Sequence, residues 1–316
     1  MRLEQLLDPS NKLLSAIFKD DPVFPTGEFA NDDWLGILRH LGLQSGMDSE
    51  LFLLSARRIH RAFSHARAAD DGAAATTTLG NAAALLKHLT ANFAQLQSST
   101  FCASLADIAC VPVRMPVSPG AGIEDGGSGG ELELARFCDT TLPSDKYLVW
   151  SVMPVLHGVG GSSGGLVPNE LMRMQLKMLS PPPLHLVLRN LANVASSDTL
   201  YRWPLADLTV EACFQKTYDF LWSRWADMSA SDRQTLRALP CVPVGDTLVK
   251  PSRIFCRLAG DFSPFMFEMP RHLGAHEPLL KALGAKETPR YEVFLLYWHK
   301  STNTDAEDAP AAPKTW

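Results

Sequence analysis

The sequence predicts an α+β fold, mostly helical, with short strands and hairpins arranged as a large-repeat module. Three observations carry that expectation. Apolar residues return at the 3.6-residue helical spacing in segment after segment. Short valine- and leucine-rich runs containing proline are bounded by glycine or further proline, in the manner of edge strands and hairpins. Two of those runs are both spelled Cys-Val-Pro-Val, at residues 110–113 and 241–244, and each follows a helical segment, so one helix-then-hairpin unit is reused.

Taken in order, residues 10–18 read as a short helix after the turn-like Asp8-Pro9, and 23–29 as an irregular connection broken by Pro25 and Gly27. Asn31 caps a helix over 32–41 whose apolar side is Trp34, Leu35, Leu38 and Leu41, and Gly42 ends it. A helix over 48–66 presents Phe52, Ala56, Ile59 and Phe63 on one side. A second over 79–97 presents Ala82, Leu86, Leu89, Phe93 and Leu96. The small, polar run 69–78 between them reads as a loop. Residues 105–113 turn strand-like, the glycine-rich stretch 119–130 reads as a mobile surface loop, 147–155 as a strand, and 157–165 as another glycine-serine loop.

The second half returns to helices. One runs over 168–179. Pro183 opens another with Leu184, Val187, Leu188, Leu191 and Val194 inward, and a third carries Phe214, Tyr218, Leu221 and Trp225. Ser231-Asp232-Arg233-Gln234 fits a capping box before a short helix to Leu239. A turn at Gly245-Asp246 then leads to a strand through Leu248 and Val249, and a last helix covers 278–283. A second echo relates Leu38-Arg39-His40-Leu41-Gly42-Leu43 to Leu280-Lys281-Ala282-Leu283-Gly284-Ala285. The expected organisation is a helical first lobe over 1–113 ending in a Val-Pro strand, a flexible loop over 114–135, a second helix-rich lobe with a short sheet over 136–300, and a disordered tail over 301–316.

The bulk numbers narrow the function classes. With 316 residues, 46% hydrophobic and 20% charged, the chain suits packed domains. A net charge of −5 gives no whole-chain attraction to nucleic acid or anionic lipid, and no apolar run approaches the ~18 residues of a membrane span. Neither nucleic acid nor membrane is an expected partner. Cys102, Cys110, Cys138, Cys213, Cys241 and Cys256 form no C-x-x-C pair and several sit in apolar runs such as Ala109-Cys110-Val111, which reads as buried reduced thiols in a cytosolic or nuclear setting. No metal or other cofactor is expected.

Motifs with catalytic associations are thin. Gly160-Gly161-Ser162-Ser163-Gly164 fits G-x-S-x-G, but glycines surround it and neither an α/β alternation nor a following Asp-then-His pair supports a nucleophile elbow. Asp125-Gly126-Gly127-Ser128-Gly129 resembles the D-x-G-x-G turn of gyrase/heat-shock-chaperone ATPases. The helix that should carry an acidic magnesium ligand has Asn81 and Asn92 and no acidic residue. The one stripe suited to recognition is basic: Arg57, Arg61 and His65 at i, i+4 and i+8 with Arg58 beside them, either a solvated face or a docking face for an acidic protein.

A set of short motifs in one order resembles the repeat region of the sacsin family. It comprises Leu6-Leu7-Asp8-Pro9, Phe24-Pro25-Thr26-Gly27-Glu28-Phe29, the stretch from Trp34 through Leu43, Leu148-Val149-Trp150-Ser151-Val152-Met153-Pro154, Pro181-Pro182-Pro183, Cys241-Val242-Pro243-Val244 and Val249-Lys250-Pro251. The resemblance covers about residues 1–290. It implies a repeat segment without the family's heat-shock-chaperone-like ATPase domain. The implied role is non-catalytic: a cytoplasmic scaffold or co-chaperone segment in protein folding and quality control, whose partners are chaperones, client proteins or a neighbouring ATPase domain. No His-Pro-Asp tripeptide is present, so J-domain recruitment is not implied. Two other classes stay open: an interaction module with no chaperone role, and a serine hydrolase using Ser162 or Ser163.

Overall fold

The computed structural model describes residues 6–116, 130–158, 167–196 and 209–289. Its contacts divide the chain into two units, one of residues 1–118 and 126–187, the other of 119–125 and 188–316. The α+β reading holds: helices dominate, and the strands are short.

The first unit is built on two long helices, α3 (Ser49–Ala68) and α4 (Gly72–Leu96), which pack against each other. α1 (Lys12–Ile17) and α5 (Ser99–Ala106) close on them. Leu14, Phe52, Ile59, Leu85, Leu89 and Leu105 form one continuous core, with the Phe52 and Phe101 rings edge to face at 5.6 Å. α4 starts seven residues earlier than the periodicity predicts, absorbing most of the expected 69–78 loop. Asp71 caps it, and the hydroxyls of Thr76, Thr77 and Thr78 donate to the carbonyls of Gly72, Ala73 and Ala74, so these polar residues are satisfied inside the helix. Its first turns bury Ala75 and Thr78.

After α5, residues 111–114 form β1 (Val111–Arg114), which pairs antiparallel with β2 (Leu132–Ala135) and β3 (Val155–Leu156) in the order β2-β1-β3. Residues 99–106 are helical because Ser98 caps them, so the strand starts at Val111 and not at 105. The expected strand over 147–155 is instead α6 (Lys146–Val149), a buried turn, and then the two residues of β3. Periodicity in so short an apolar run does not separate helix from strand. α7 (Glu170–Gln175) completes the unit with Met172 and Leu176 in its core.

α8 (Leu184–Ala195) spans the point of division. In the second unit α9 (Val210–Ser223) packs against β4 (Val242–Val244), and the buried Tyr218 hydroxyl donates to the Cys241 carbonyl at 2.5 Å. α9 stops at Ser223, so Trp225 leaves the helical face and lies half-buried in a following turn, under the Arg233 guanidinium at 5.1 Å. α10 (Ala230–Ala238) is capped by Ser229, two residues before the expected Ser231. β4 and β5 (Thr247–Val249) form a hairpin, β6 (Ile254–Phe255) and β7 (Phe267–Glu268) pair in parallel, and α11 (Glu277–Leu283) buries Leu279, Leu280 and Leu283.

The hydrogen bonds reveal one architecture used three times. In the third copy the Lys286 N–H donates to Ile254, Cys256 donates to Lys286, and β7 runs parallel beside β6, with Met269 donating to Phe255. In the second, Leu179 donates to Thr140, Thr141 donates to Pro154, and Leu156 donates to Thr141. In the first, Gln44 donates to Leu6, Asp8 donates to Gln44, and Leu7 donates to Val23. Each copy therefore has a first strand-like segment, a second strand-like segment, a helix and a closing residue that returns beside the first segment. The closing helix is α2 (Asp32–His40) in the first copy, α7 in the second and α11 in the third.

All three helices end in the same left-handed cap. Gly42 (φ 108°), Lys177 (φ 55°) and Gly284 (φ 120°) follow the last turn. The next residue, Leu43, Met178 or Ala285, donates back to Leu38, Arg173 or Leu280. The second and third copies also share a leading half: α5 then β1–β2, and α10 then β4–β5. Val111 faces Ala135 as Val242 faces Val249, and Thr140 comes five positions after Ala135 as Ile254 comes five after Val249.

Candidate functional site

α2 forms where the sequence predicts it, because Asn31 accepts from the Trp34 N–H at 2.9 Å, Asp32 and Asp33 occupy the first turn, and Gly42 ends it. It is fixed to its own first strand by an ion pair. Arg39 donates to both carboxylate oxygens of the buried Asp8, at 2.6 and 3.1 Å, and to the Ser10 hydroxyl at 2.8 Å. The Arg39 bond holds the Asp8 carboxyl below the usual carboxylate range.

One side of α2 is inward: Leu35, Leu38 and Leu43 cluster with Leu6. The other side is open. Trp34 is 39% exposed, Ile37 49% and Leu41 64%, and Phe29 (50%) sets its ring edge to face on Trp34 at 5.2 Å. The expectation that Trp34 and Leu41 pack inward fails. They lie on the flank away from Leu35 and Leu38, where Phe29 packs on Trp34 and Ile37 and Leu41 stay about half exposed or more. The other aromatics placed at core spacing (Phe52, Phe63, Phe93, Phe214 and Tyr218) are buried. Ile37 was missed from the sequence. A signal was present: five large apolar residues in eight positions make a stripe wider than one core-facing side requires.

The basic stripe lies on α3. Arg57, Arg61 and His65 are exposed, and among the described residues none has an ion pair. Arg58 is turned to Asp21 at 3.0 Å and is half-buried, so it belongs to the packing of α3 more than to the stripe. Farther along the helix Arg67 binds Glu131 and Glu133 and lies over the Phe63 ring.

Other candidate chemistry is limited to three places. A groove of about 580 Å³ is lined by Gln44, Asp48, His88, Asn92 and neighbours, and partial burial holds the His88 imidazole below its ordinary range. Cys256, Glu277 and Glu287 approach one another, but the Lys281 ammonium lies between the two carboxylates at 2.7 and 2.5 Å and supplies the positive charge there. All six cysteines are free thiols, and burial pushes Cys110, Cys213 and Cys241 up to about 12, away from thiolate chemistry. The Asp125–Gly129 turn and the Ser162/Ser163 loop lie outside the described residues. The strand ahead of the latter, β3, belongs to an antiparallel pairing with β1. No described helix is long and apolar enough to cross a membrane.

No family model matches the chain, and no solved structure does. Human sacsin is similar to it, with 25% identity over an alignment of 311 residues that covers 90% of this chain and 6% of sacsin. The chain thus spans a small part of the length of that relative, and the relationship is a distant, sacsin-like one.

Proposed function

We propose that this chain is a non-catalytic scaffold or co-chaperone segment of the sacsin-like kind, working in cytoplasmic protein folding and quality control. The similarity to human sacsin along 90% of the chain is the observation that carries the reading. The surface is in keeping with it. An apolar helix face at Trp34, Ile37 and Leu41 and a basic stripe at Arg57, Arg61 and His65 suit protein partners, and the buried thiols suit a reducing compartment.

The test is light scattering by an aggregating client protein with and without the full chain. Suppression at near-stoichiometric amounts, without nucleotide, is the expected result. Unchanged aggregation would leave a plain interaction module, the second reading favoured by the same exposed faces. Titration with ATP and magnesium is expected to give no heat, and labelling by a fluorophosphonate probe is expected to leave Ser162 and Ser163 unmodified. Binding with turnover, or labelling of the folded chain, would overturn the non-catalytic assignment.

A further inference from the structure

Counted from their left-handed caps, the three closing helices align residue for residue, which places Ile37 with Met172 and Leu279, and Leu41 with Leu176 and Leu283. In the second and third copies these positions are fully buried: Met172 and Leu176 are 0% exposed, Leu279 and Leu283 1%. In the first copy the same two positions are 49% and 64% exposed. Four of the ten exposed large apolar side chains among the described residues fall between 29 and 41, so they form a patch and not a scatter.

The other two copies show what lies at the edge of this face. In the second, the Cys102 thiol of α5 meets the Gln175 side chain at 3.5 Å. In the third, the Arg237 guanidinium of α10 donates to the Ala282 carbonyl at 3.2 and 3.1 Å. Gln175 and Ala282 are the same position in the repeat, and its equivalent on α2 is the exposed His40. α5 and α10 are themselves equivalent. Each has a leucine (Leu105, Leu236) with no exposure, five residues before the cysteine of Cys-Val-Pro-Val, followed by a strand with Val111 or Val242 buried. The first copy has its strands, closing helix and cap, but among the described residues no helix-and-hairpin leading half.

We propose that the open face of α2, centred on Ile37 and Leu41 with His40 at its edge, docks a helix-plus-Val-Pro-hairpin half-repeat of the type formed by α10–β4–β5. The occupant is an amphipathic helix of two to three turns with an inward leucine, followed by a Cys-Val-Pro-Val strand. In a second copy of this chain both such half-repeats are already engaged by α7 and α11, which favours a further half-repeat as the occupant. The docking face stands whether or not the chain serves quality control.

The test uses the full chain and a fusion that places residues 229–248 directly before Met1. That junction puts Met1 in the register of Val249, five positions before Leu6 as Val249 is before Ile254, and the covalent link raises the effective concentration to the order of mM. Amide hydrogen exchange is read on α2 in both proteins. The expected result is a tenfold or greater slowing of α2 exchange in the fusion, abolished by Ile37→Asp with Leu41→Asp and retained with the exposed α7 control Met174→Asp. Both α2 substitutions are at exposed sites, and circular dichroism of the unfused double variant checks that it folds. Unchanged exchange in the fusion would overturn the proposal. So would slowing that survives the double substitution, or a wild-type dimer in sedimentation that the double variant disperses, because a second copy would then be the occupant.

Discussion

α2 and α11 are built alike and used differently. Both end in a glycine in the left-handed region, both send the following amide back to a leucine five residues earlier, and both return a residue beside the first strand of their copy. Yet Leu283 is sealed in its core and Leu41 is open to water. The difference teaches that the repeat's closing helix carries an apolar face in each copy, and that this face is buried in the two copies where a leading helix touches it.

The largest effect should come from truncating that face where it is covered. Leu176→Ala and Leu283→Ala should each cost about 2–5 kcal/mol in urea unfolding, whereas Leu41→Ala should stay within about 0.5 kcal/mol. Equal losses at all three sites would break the comparison. The Cys-Val-Pro-Val strands are also tied down unequally. Cys241 accepts from the fully buried Tyr218 hydroxyl, while in the second copy the neighbouring Ala109 carbonyl meets the exposed His60 ring at 3.1 Å. Tyr218→Phe should therefore cost about 1–3 kcal/mol, with His60→Ala near neutral. Burial raises the Tyr218 phenol well above its ordinary range. Its contribution is complete below the unfolded phenol range near pH ~10 and falls as pH rises beyond it, a decline that Tyr218→Phe should lessen.

Smaller effects sharpen the first copy. Asp8→Asn should destabilise it by about 1 kcal/mol, less than for a fully buried pair because Arg39 is 39% exposed. The Asp8 carboxyl is held below its ordinary range, so this contribution is present above pH ~4 and is lost as pH falls through the folded value. Acid unfolding of the Asp8→Asn chain should show a shallower pH dependence there. Smallest is the cap of the second copy. Lys177 takes a left-handed conformation that glycine fills in the other two, and Lys177→Gly should stabilise by under about 1 kcal/mol, as relief of steric cost outweighs the added unfolded-state freedom.

Much of this was legible in the sequence. The helical spacing located α3, α9 and α11, the Cys-Val-Pro-Val run at 241–244 disclosed the β4–β5 hairpin, and the Leu-Gly caps tied α2 to α11, whereas β2, the partner of β1, lies inside the stretch 114–135 that reads as a flexible loop. The third instance stayed hidden because Lys177 stands where a glycine would have announced the cap. The threonines opening α4 read as a loop because their hydroxyls find partners only once the helix exists. The candidate face escaped for a related reason. Trp34 and Leu41 are core-like residues, and exposure depends on whether a partner helix is present, which local periodicity does not encode. The role of Arg57, Arg61 and His65 rests on their exposed alignment along α3.

The most direct measurement of the central claim is amide hydrogen exchange on the intact chain, compared helix by helix among the three closing helices. The account predicts that α2 exchanges faster than both α7 and α11, since the apolar face they bury is open on α2. Protection of α2 equal to that of α7 and α11 would contradict it, because the first copy would then already have its cover.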